Sequence, residues 1–541
     1  MRRRTKWLIG IGVTAVVVIA GLFIAGTIMV RRFEPYVRNE AMQYLSDRFD
    51  SDVNIQALHV HMQTKSPWMA LKTKGRGVLG FVEADGISLR RHNSSIDEPL
   101  FKIAKCRFEV DLGTLMDPQT KIQALQLDNV EITIPPRGEH SKDSDSKPAS
   151  NGQPQLKHPV IFENVLMRNV VLAIQSNHRD KPPLRFDIHS LELKSAGLAV
   201  AMNYNAQLTN AKPPGEIQSI GMFGPWNRDE PGDTPLAGDY KFTHADLGVF
   251  SGIAGTLDSA GAFNGTLSAV NAKGQATVPD FRLKGVGNAM PLTTHFEVQV
   301  DGTNGDTVLK PVHATLGSTS FTTSGAVLKK EGAHSRLIKL DVNMPHGYIQ
   351  DLLRLAVKGS PMMEGEIMLK TRIEIPPLSG DIAEKLQLNG EFRLAEAKFM
   401  RSAIQDQIDN LSRKGQGQPK NEEIDDVLSR MFGEFRLDNH VIDFSNFSFS
   451  VPGASVRLAG DFNLDKDILD FHGALKLQAK VSQTQTGWKR WALKPVDPFF
   501  SKNGAGTFLH IVVDGTSKKP HFGLDHGHKD EGPKPEVTAF R

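Results

Sequence analysis

The sequence predicts a mainly β protein, with a large antiparallel sheet that has one apolar and one polar face, preceded by one transmembrane helix. Three observations lead to this fold class. Apolar and polar residues alternate with period two along most of the chain after residue 50, which is typical of half-buried strands. Gly, Asp and Asn punctuate these runs as turn residues. Residues 7–30 form one uncharged apolar stretch.

Composition limits the protein's class. With 541 residues and 59.5 kDa, the chain is too long for one ordinary hydrophobic core. Lys and Arg total 64 against 61 Asp and Glu, so no general basic excess indicates a nucleic-acid partner. The single cysteine, Cys106, excludes an internal disulfide framework and a cysteine-based zinc or iron–sulfur site.

The uncharged stretch at 7–30 predicts a membrane anchor. At about 1.5 Å per residue, a helix of this length spans a hydrocarbon core of roughly 30 Å. The stretch is longer than the apolar region of a signal peptide, about 7–15 residues, and it ends at Arg31 and Arg32. We therefore predict an uncleaved single-pass anchor rather than a cleaved leader or a buried helix. The basic residues at 2–4 and 6 predict a cytoplasmic N-terminus.

Four further segments have the three- and four-residue apolar spacing of amphipathic helices. The first, 33–49, fits either an interfacial helix at the membrane or a helix packed on the end of the following sheet. The others lie at 346–358, 395–414 and 424–432, and we expect them to cover sheet edges or open ends.

The clearest alternating runs supply the candidate lining of an apolar face. A phase slip at Ser445 and Asn446 indicates a β-bulge within one of these runs. The candidate lining residues are Val130, Ile132, Ile134, Phe296, Val298, Val300, Phe444, Phe447, Phe449, Leu475 and Leu477.

The chain contains a weak internal repeat. Residues 125–134 (LQLDNVEITI) resemble residues 165–174 (VLMRNVVLAI), which suggests stacked β-units. Between the two copies, residues 138–157 have almost no apolar side chain and predict a flexible polar linker. The last residues, 516–541, predict a polar tail.

The sequence nominates no catalytic, cofactor or metal site. GRGVLG at 75–80 formally matches a dinucleotide-binding glycine pattern, but a turn and a strand follow it instead of a helix. His59 and His61 would share a strand face without a third ligand nearby. His521, Asp525, His526 and His528 lie at the polar C-terminus, where an incidental role is the simpler interpretation. We therefore predict no enzyme activity, no cofactor and no metal.

An apolar sheet face must be buried in a sandwich, in a barrel or around an apolar ligand. The sandwich is the common solution. The membrane anchor favours the third, because a tethered sheet with an apolar face is well placed to take up acyl chains.

A family resemblance bears on this choice. It rests on LNGEFRLAEAKF at 388–399, IQDQIDNLSR at 404–413, VLSRMFG at 427–433, FRLDNHVI at 435–442 and VPGASVRLAG at 451–460. The same resemblance extends upstream to three segments: VPDFRL at 278–283, TTHFEV at 293–298 and VDGTNGDTV at 300–308. Near the N-terminus, VNIQALHV at 53–60 resembles the chorein-like N-terminal region of such proteins. Together they resemble the AsmA-like family of bacterial envelope proteins, within the bridge-like lipid-transfer group.

The resemblance implies an elongated, curled, taco-like antiparallel groove with an apolar lining and a few covering helices. It implies an inner-membrane protein whose bulk lies in the periplasm and carries phospholipid acyl chains, with headgroups left in water. The implied organisation is an anchor at 1–30, an amphipathic helix and chorein-like region at 31–137, the linker at 138–157, a central groove region at 158–386, an AsmA-like region at 387–515 and the tail.

The alternative is an envelope assembly scaffold, in which open sheet edges take up strands of another envelope protein or of a second copy. Long uncharged edge strands would favour the scaffold, and a continuous apolar interior would favour lipid. The apolar runs between Val130 and Val481 favour lipid.

Overall fold

The computed structural model describes residues 34–63 apart from 36, 40, 48 and 50, and then 79–91, 99–111, 120–136, 160–175, 183–196, 201–227, 229–330, 333, 335–378, 382–418, 427–486, 488–497, 506–517 and 519–525. The predicted basic stub and anchor at 1–30, the linker at 138–157 and the tail beyond 525 lie outside the described residues. Within the described part of the chain, no helix has the length and apolarity needed to cross a membrane.

The mainly β prediction is confirmed: most of the described residues of the chain lie in β-strands, and the described helices are few. Its strands are β1 (Ser51–Gln63), β2 (Leu79–Arg91), β3 (Phe101–Asp111), β4 (Thr120–Ile134), β5 (Val160–Ile174), β6 (Leu184–Ala196), β7 (Met202–Ala211), β8 (Pro214–Phe223), β9 (Pro235–Asp246), β10 (Ile253–Ala254), β11 (Thr256–Thr266), β12 (Ala269–Leu283), β13 (Met290–Asp301), β14 (Thr307–Leu316), β15 (Thr319–Lys329), β16 (Arg336–Tyr348), β17 (Met363–Ile375), β18 (Gln387–Phe399), β19 (Ser429–Asp438), β20 (Val441–Val451), β21 (Ala454–Asn463), β22 (Ile468–Leu477), β23 (Thr507–Thr516) and β24 (Lys519–Leu524).

Helices are few and short. The described residues between 34 and 49 are helical and form α1, as the apolar spacing predicts. The others are α2 (Ile349–Ala356), α3 (Ile382–Lys385), α4 (Ser402–Gly415) and α5 (Trp488–Leu493).

The chain divides into two compact units. Unit 1 contains Met1–Thr243, Ala260–Ala272 and Val300–Gly305, and unit 2 contains His244–Ser259, Lys273–Gln299 and Asp306–Arg541.

Unit 1 has a conventional hydrophobic core. Val130 and Ile134 of β4 are 2% and 0% exposed, and Val170 and Ile174 of β5 are buried beside them. On α1, Leu45 and Phe49 pack against the same core, so this helix covers part of the sheet.

The internal repeat is a structural pair. β4 and β5 are parallel, and the paired residues of β4 lie beside residues 40 positions later in the chain, from Thr120 beside Val160 to Ile134 beside Ile174. Asn129 and Asn169 occupy the same place in the two strands, with φ of 55° and 52°, a region that Asn tolerates better than most residues. The Asn169 Nδ2 donates to the Asn129 Oδ1 at 3.2 Å. The two similar segments are therefore single strands that lie next to each other in parallel, and the stacked units that the sequence suggests stay a prediction.

In unit 2, the strands from β14 to β24 form an antiparallel meander in which each strand pairs with the next. The helices α2, α4 and α5 follow β16, β18 and β22. Because alternate connections of a meander return to the same side, these three helices all lie at one end of the strands, which we call the helical end.

The helix predictions have mixed outcomes. The segment at 346–358 contains α2, as expected. The helix predicted at 395–414 starts later, because β18 continues to Phe399 before α4 begins. The helix predicted at 424–432 is wrong: residues 424–426 lie outside the described residues, and Ser429 begins β19. Met431, Phe435 and Leu437 alternate along that strand and pair with both neighbours, so sheet pairing prevails over the helical spacing.

Candidate functional site

One face of the unit 2 sheet is apolar and the other is polar, and β21 shows the division most clearly. Along this strand, Leu458 and Phe462 are half-buried, whereas Ala459 and Asp461 are exposed. Successive side chains of a strand point to opposite faces, so the half-buried set defines a single surface. We call this surface the apolar face.

The antiparallel register carries the apolar face from strand to strand. One cross-strand row of directly opposed apolar residues spans the seven strands from β16 to β22. Its members are Leu340, Ile373, Leu388, Leu437, Ile442, Phe462 and Leu469. A parallel row nearer the helical end contains Leu369, Phe392, Phe447, Leu458 and Ile511, with Gly433 and Gly473 between them.

Phenylalanine rings form the middle of the apolar face. The ring centroids of Phe444 and Phe447 are 5.8 Å apart, as are those of Phe444 and Phe471. Phe392 lies 6.5 Å from Phe447. Gly433 makes room for this arrangement, because a Cβ there would lie 2.5 Å from the Phe392 ring. At this point of the apolar face, a glycine thus lies between two phenylalanines on neighbouring strands.

The opposite face carries the charges. Arg372 Nε lies 2.7 Å from the Asp341 carboxylate, and Lys339 Nζ lies 3.1 Å from that of Glu374. Farther along, four aspartates occur at directly opposed positions of β20 to β23: Asp443, Asp461, Asp470 and Asp514. Desolvation raises the pKa of Asp461, and its hydrogen bond to Asp443 and the negative charges of Asp443 and Asp470 raise it further.

Two helices cover one border of the apolar face. Ile404, Ile408 and Leu411 of α4 pack in one cluster with Phe449 and Leu475. Ile349 and Leu352 of α2 pack in another with Met344, Ile367 and Leu394, among others. Phe444, Phe447 and Leu458 lie farther from the helical end and are half-buried.

The predicted lining residues fall into three groups. Val130 and Ile134 are fully buried in the core of unit 1, with Ile132 half-buried beside them. On β13, Phe296, Val298 and Val300 are half-buried and alternate with exposed neighbours. Phe444, Phe447, Phe449, Leu475 and Leu477 share the apolar face of unit 2, and only the last is classed as buried. Register shifts on both sides of β20 confirm the bulge at Ser445 and Asn446.

The apolar face contains residues that the sequence analysis did not single out. They include Phe392, Phe435 and Phe471, contributed by β18, β19 and β22. The sequence does contain the period-two alternation that could have identified them. It occurs on β18 at Leu388, Gly390, Phe392 and Leu394, and on β19 at Met431, Gly433, Phe435 and Leu437.

The structure describes the surroundings of Cys106 and of the histidine pair on β1. Burial raises the pKa of the Cys106 thiol to about 12, so this side chain is not a thiolate at neutral pH. His59 and His61 are both exposed on one face of β1, as their spacing predicts. Within the described ranges, no cluster of three or more His, Cys, Asp or Glu residues could hold a metal ion.

Comparison with known proteins finds no matching family model, no matching curated protein and no matching solved structure.

Proposed function

We propose that this chain is a periplasmic protein anchored in the inner membrane, which binds phospholipids and carries their acyl chains along an apolar β-groove. By this transport it supports lipid homeostasis of the outer membrane and envelope. The groove is elongated and taco-like, the headgroups stay in water, and no covalent chemistry is involved. The observation that carries the proposal is the continuous apolar face of unit 2, on which Phe444, Phe447 and Leu458 remain half-buried.

Physical chemistry supports an acyl chain as the occupant. Each methylene that leaves a bilayer for water costs about 0.8 kcal/mol, and contact with an apolar surface recovers this free energy. Cross-strand rows of Phe, Leu and Ile offer such contact over several adjacent strands with no charged side chain among them. The AsmA-like resemblance of residues 388–460 points the same way, and the predicted anchor would supply the donor membrane.

Site-specific photo-crosslinking in cells tests the proposal. A photoreactive amino acid at Leu458 would face the acyl chain, whereas the same probe at Ala459, the adjacent residue on the polar face, is the matched control. We expect phospholipid adducts at Leu458, detected by mass spectrometry, and none at Ala459. Equal labelling at both positions, or no lipid at either, would contradict the proposal.

A second candidate function is the strand-adding scaffold, and β24 favours it. This strand pairs with β23, and no other described strand is registered against it. Phe522 and Leu524 are 65% and 51% exposed there. A photoreactive residue at Phe522 would distinguish the two functions, because the scaffold predicts a protein adduct of defined mass and the lipid carrier predicts a lipid adduct.

A further inference from the structure

The last strand of unit 2, β24, has an edge that no other described strand pairs with. On the other edge it pairs with β23, where the backbone N–H of Asp525 donates to the carbonyl oxygen of His510, the residue opposite, at 3.0 Å. In an antiparallel pair, successive residues turn their backbone groups alternately toward the partner strand and away from it. The N–H and C=O groups of Phe522 and Leu524 therefore point away from β23, where a further strand can bind them.

Apolar side chains accompany this outer edge. Phe522 and Leu524 are 65% and 51% exposed. Their opposite residues on β23 are Val513 and Ile511, so both side chains continue the apolar face to the last strand of the unit. Pro520 fits the same arrangement, because its nitrogen carries no hydrogen and points outward, where β23 needs no donor. A strand added at this edge would cover the exposed Phe522 and Leu524.

The first strand of unit 1, β1, has its outer edge occupied by the chain itself. β1 pairs with β2 on one side. On α1, the Glu34 carboxylate accepts from the backbone N–H of Val60 at 3.2 Å, and the Arg38 guanidinium donates to the carbonyl oxygen of Ile55. A ladder of copies that joins β24 of one to β1 of the next would need both edges open. The contacts of α1 oppose such a ladder.

The backbone of β24 is complementary to itself in an antiparallel register centred on Phe522. When the Phe522 residues of two copies are directly opposed, each donates its N–H to the carbonyl oxygen of the other. The Leu524 N–H of each copy then meets the Pro520 carbonyl oxygen of the other. The N–H that Pro520 lacks is missed only at the two ends of the strand pair.

The charges of β24 and of the residue after it fit the same register. Lys519 of one copy would lie opposite Asp525 of the other, and opposite charges across a strand pair attract each other. The Asp525 carboxylate also lies 3.2 Å from the Nδ1 of His472, and a carboxylate can accept from several donors. No like charges are directly opposed between residues 519 and 525 in this register.

We propose that two copies of this chain pair through β24, antiparallel and related by a two-fold axis at Phe522. The inference rests on the strand-adding function proposed above and names its partner as a second copy. The second copy supplies the matching register and charges, and its own Phe522 and Leu524 would continue the apolar face across the axis. Because α1 occupies the edge of β1, the pairing stops at two copies.

Cysteine substitution in the full chain, held in detergent micelles, tests the register. Phe522→Cys places two thiols in a hydrogen-bonded pair with Cα atoms about 5.5 Å apart, a separation that a disulfide spans. Leu524→Cys is the matched control, because its two copies would be offset along the strands beyond the limit of about 7 Å. We expect the disulfide-linked dimer to form at least about tenfold faster with Phe522→Cys, since pairing raises the effective concentration of the thiols. Cys106 is buried and common to both variants.

Sedimentation of the full chain in detergent tests the pairing without a crosslink. We expect a shift from monomer to dimer as the protein concentration rises, and no larger species. Phe522→Lys should weaken the dimer by at least about tenfold, because an aromatic pair is lost and two lysines face each other across the axis. Ile220→Lys places the same charge on an apolar residue of β8 that is 57% exposed, and this control should dimerise as wild type. Melting temperatures verify that both variants fold.

Three results would overturn the proposal: a monomer at every concentration, equal rates of disulfide formation in the two cysteine variants, or a series of larger oligomers. Photo-crosslinking at Phe522 identifies other occupants of the edge. An adduct within one chain, for instance with residues 526–541, would refute the pairing of copies, and so would an adduct with a different protein. The latter would leave the strand-adding function intact, whereas the absence of any protein adduct would refute both. Photo-crosslinking at Leu458 reports separately on lipid.

Discussion

Leu458→Asp should stop lipid movement along the apolar face without unfolding the chain. Leu and Asp have similar lengths, and Leu458 is only half-buried, so the new carboxylate can keep part of its hydration. Its cross-strand neighbours are Phe447 and Gly473, and a charge there interrupts the row in the middle of the face. Phe449 is a less suitable site for this test, because it packs against α4 and Phe449→Asp would therefore cost stability as well.

The size of the effect follows from the strand spacing. Neighbouring strands lie about 4.8 Å apart, so an acyl chain that crosses them has roughly four methylenes over each strand. At about 0.8 kcal/mol per methylene, loss of apolar contact over one strand costs about 3 kcal/mol. If passage over this point limits transfer, the rate falls by about 100-fold.

The assay is transfer of a fluorescent phospholipid between donor and acceptor vesicles, with the melting temperature measured in parallel. Ala459→Asp is the matched control, because the adjacent residue is exposed on the polar face and should transfer lipid at the wild-type rate. Val298→Asp tests the same idea on β13, where Val298 is half-buried. A folded Leu458→Asp protein that transfers lipid at full rate would refute the reasoning, as would equal losses in the two neighbouring variants.

Three further predictions concern stability. Asp461→Asn should stabilise the fold at pH 7, because the pKa of Asp461 is raised in the folded state and its ionisation therefore destabilises that state. The gain in stability should vanish below about pH 3.8, where the carboxyl group is protonated in both the folded and the unfolded state. A gain that persists at that pH in denaturant titrations would contradict this prediction. Asp351→Ala should lower the free energy of unfolding by about 1–3 kcal/mol, because the buried carboxylate accepts the Thr319 hydroxyl at 2.9 Å; an unchanged urea midpoint would count against this. Gly433→Leu should cost about 1–3 kcal/mol through overlap with the Phe392 ring, and Phe392→Ala in the same chain should restore part of it.

Strand patterning carried most of the fold prediction. Period-two alternation identifies an apolar and a polar face whatever the tertiary arrangement, which is why Phe444, Phe447 and Leu475 occur together on one face. The bulge at Ser445 and Asn446 was also readable, because an inserted residue shifts the alternation by one position.

The sequence was less informative about which strands pair with each other and about which apolar side chains are covered by other parts of the protein. Val130 and Phe447 have equally clear alternation, yet the first is a fully buried core residue and the second is half-buried. The alternation of apolar and polar residues indicates which face of the sheet a side chain lies on, but it does not indicate which residues pack against that face. The mistaken helix at 424–432 has a similar cause: a few residues of helical spacing carry little free energy compared with a strand paired on both sides.

The strand order of unit 2 also has a kinetic consequence. From β14 to β24, each strand hydrogen-bonds to its successor in the chain, so every pairing closes a loop that is short compared with the whole protein. Folding rates rise as the mean sequence separation of contacts falls. A sheet of this kind can form one hairpin at a time, because each newly paired strand offers its free edge to the next strand in the chain.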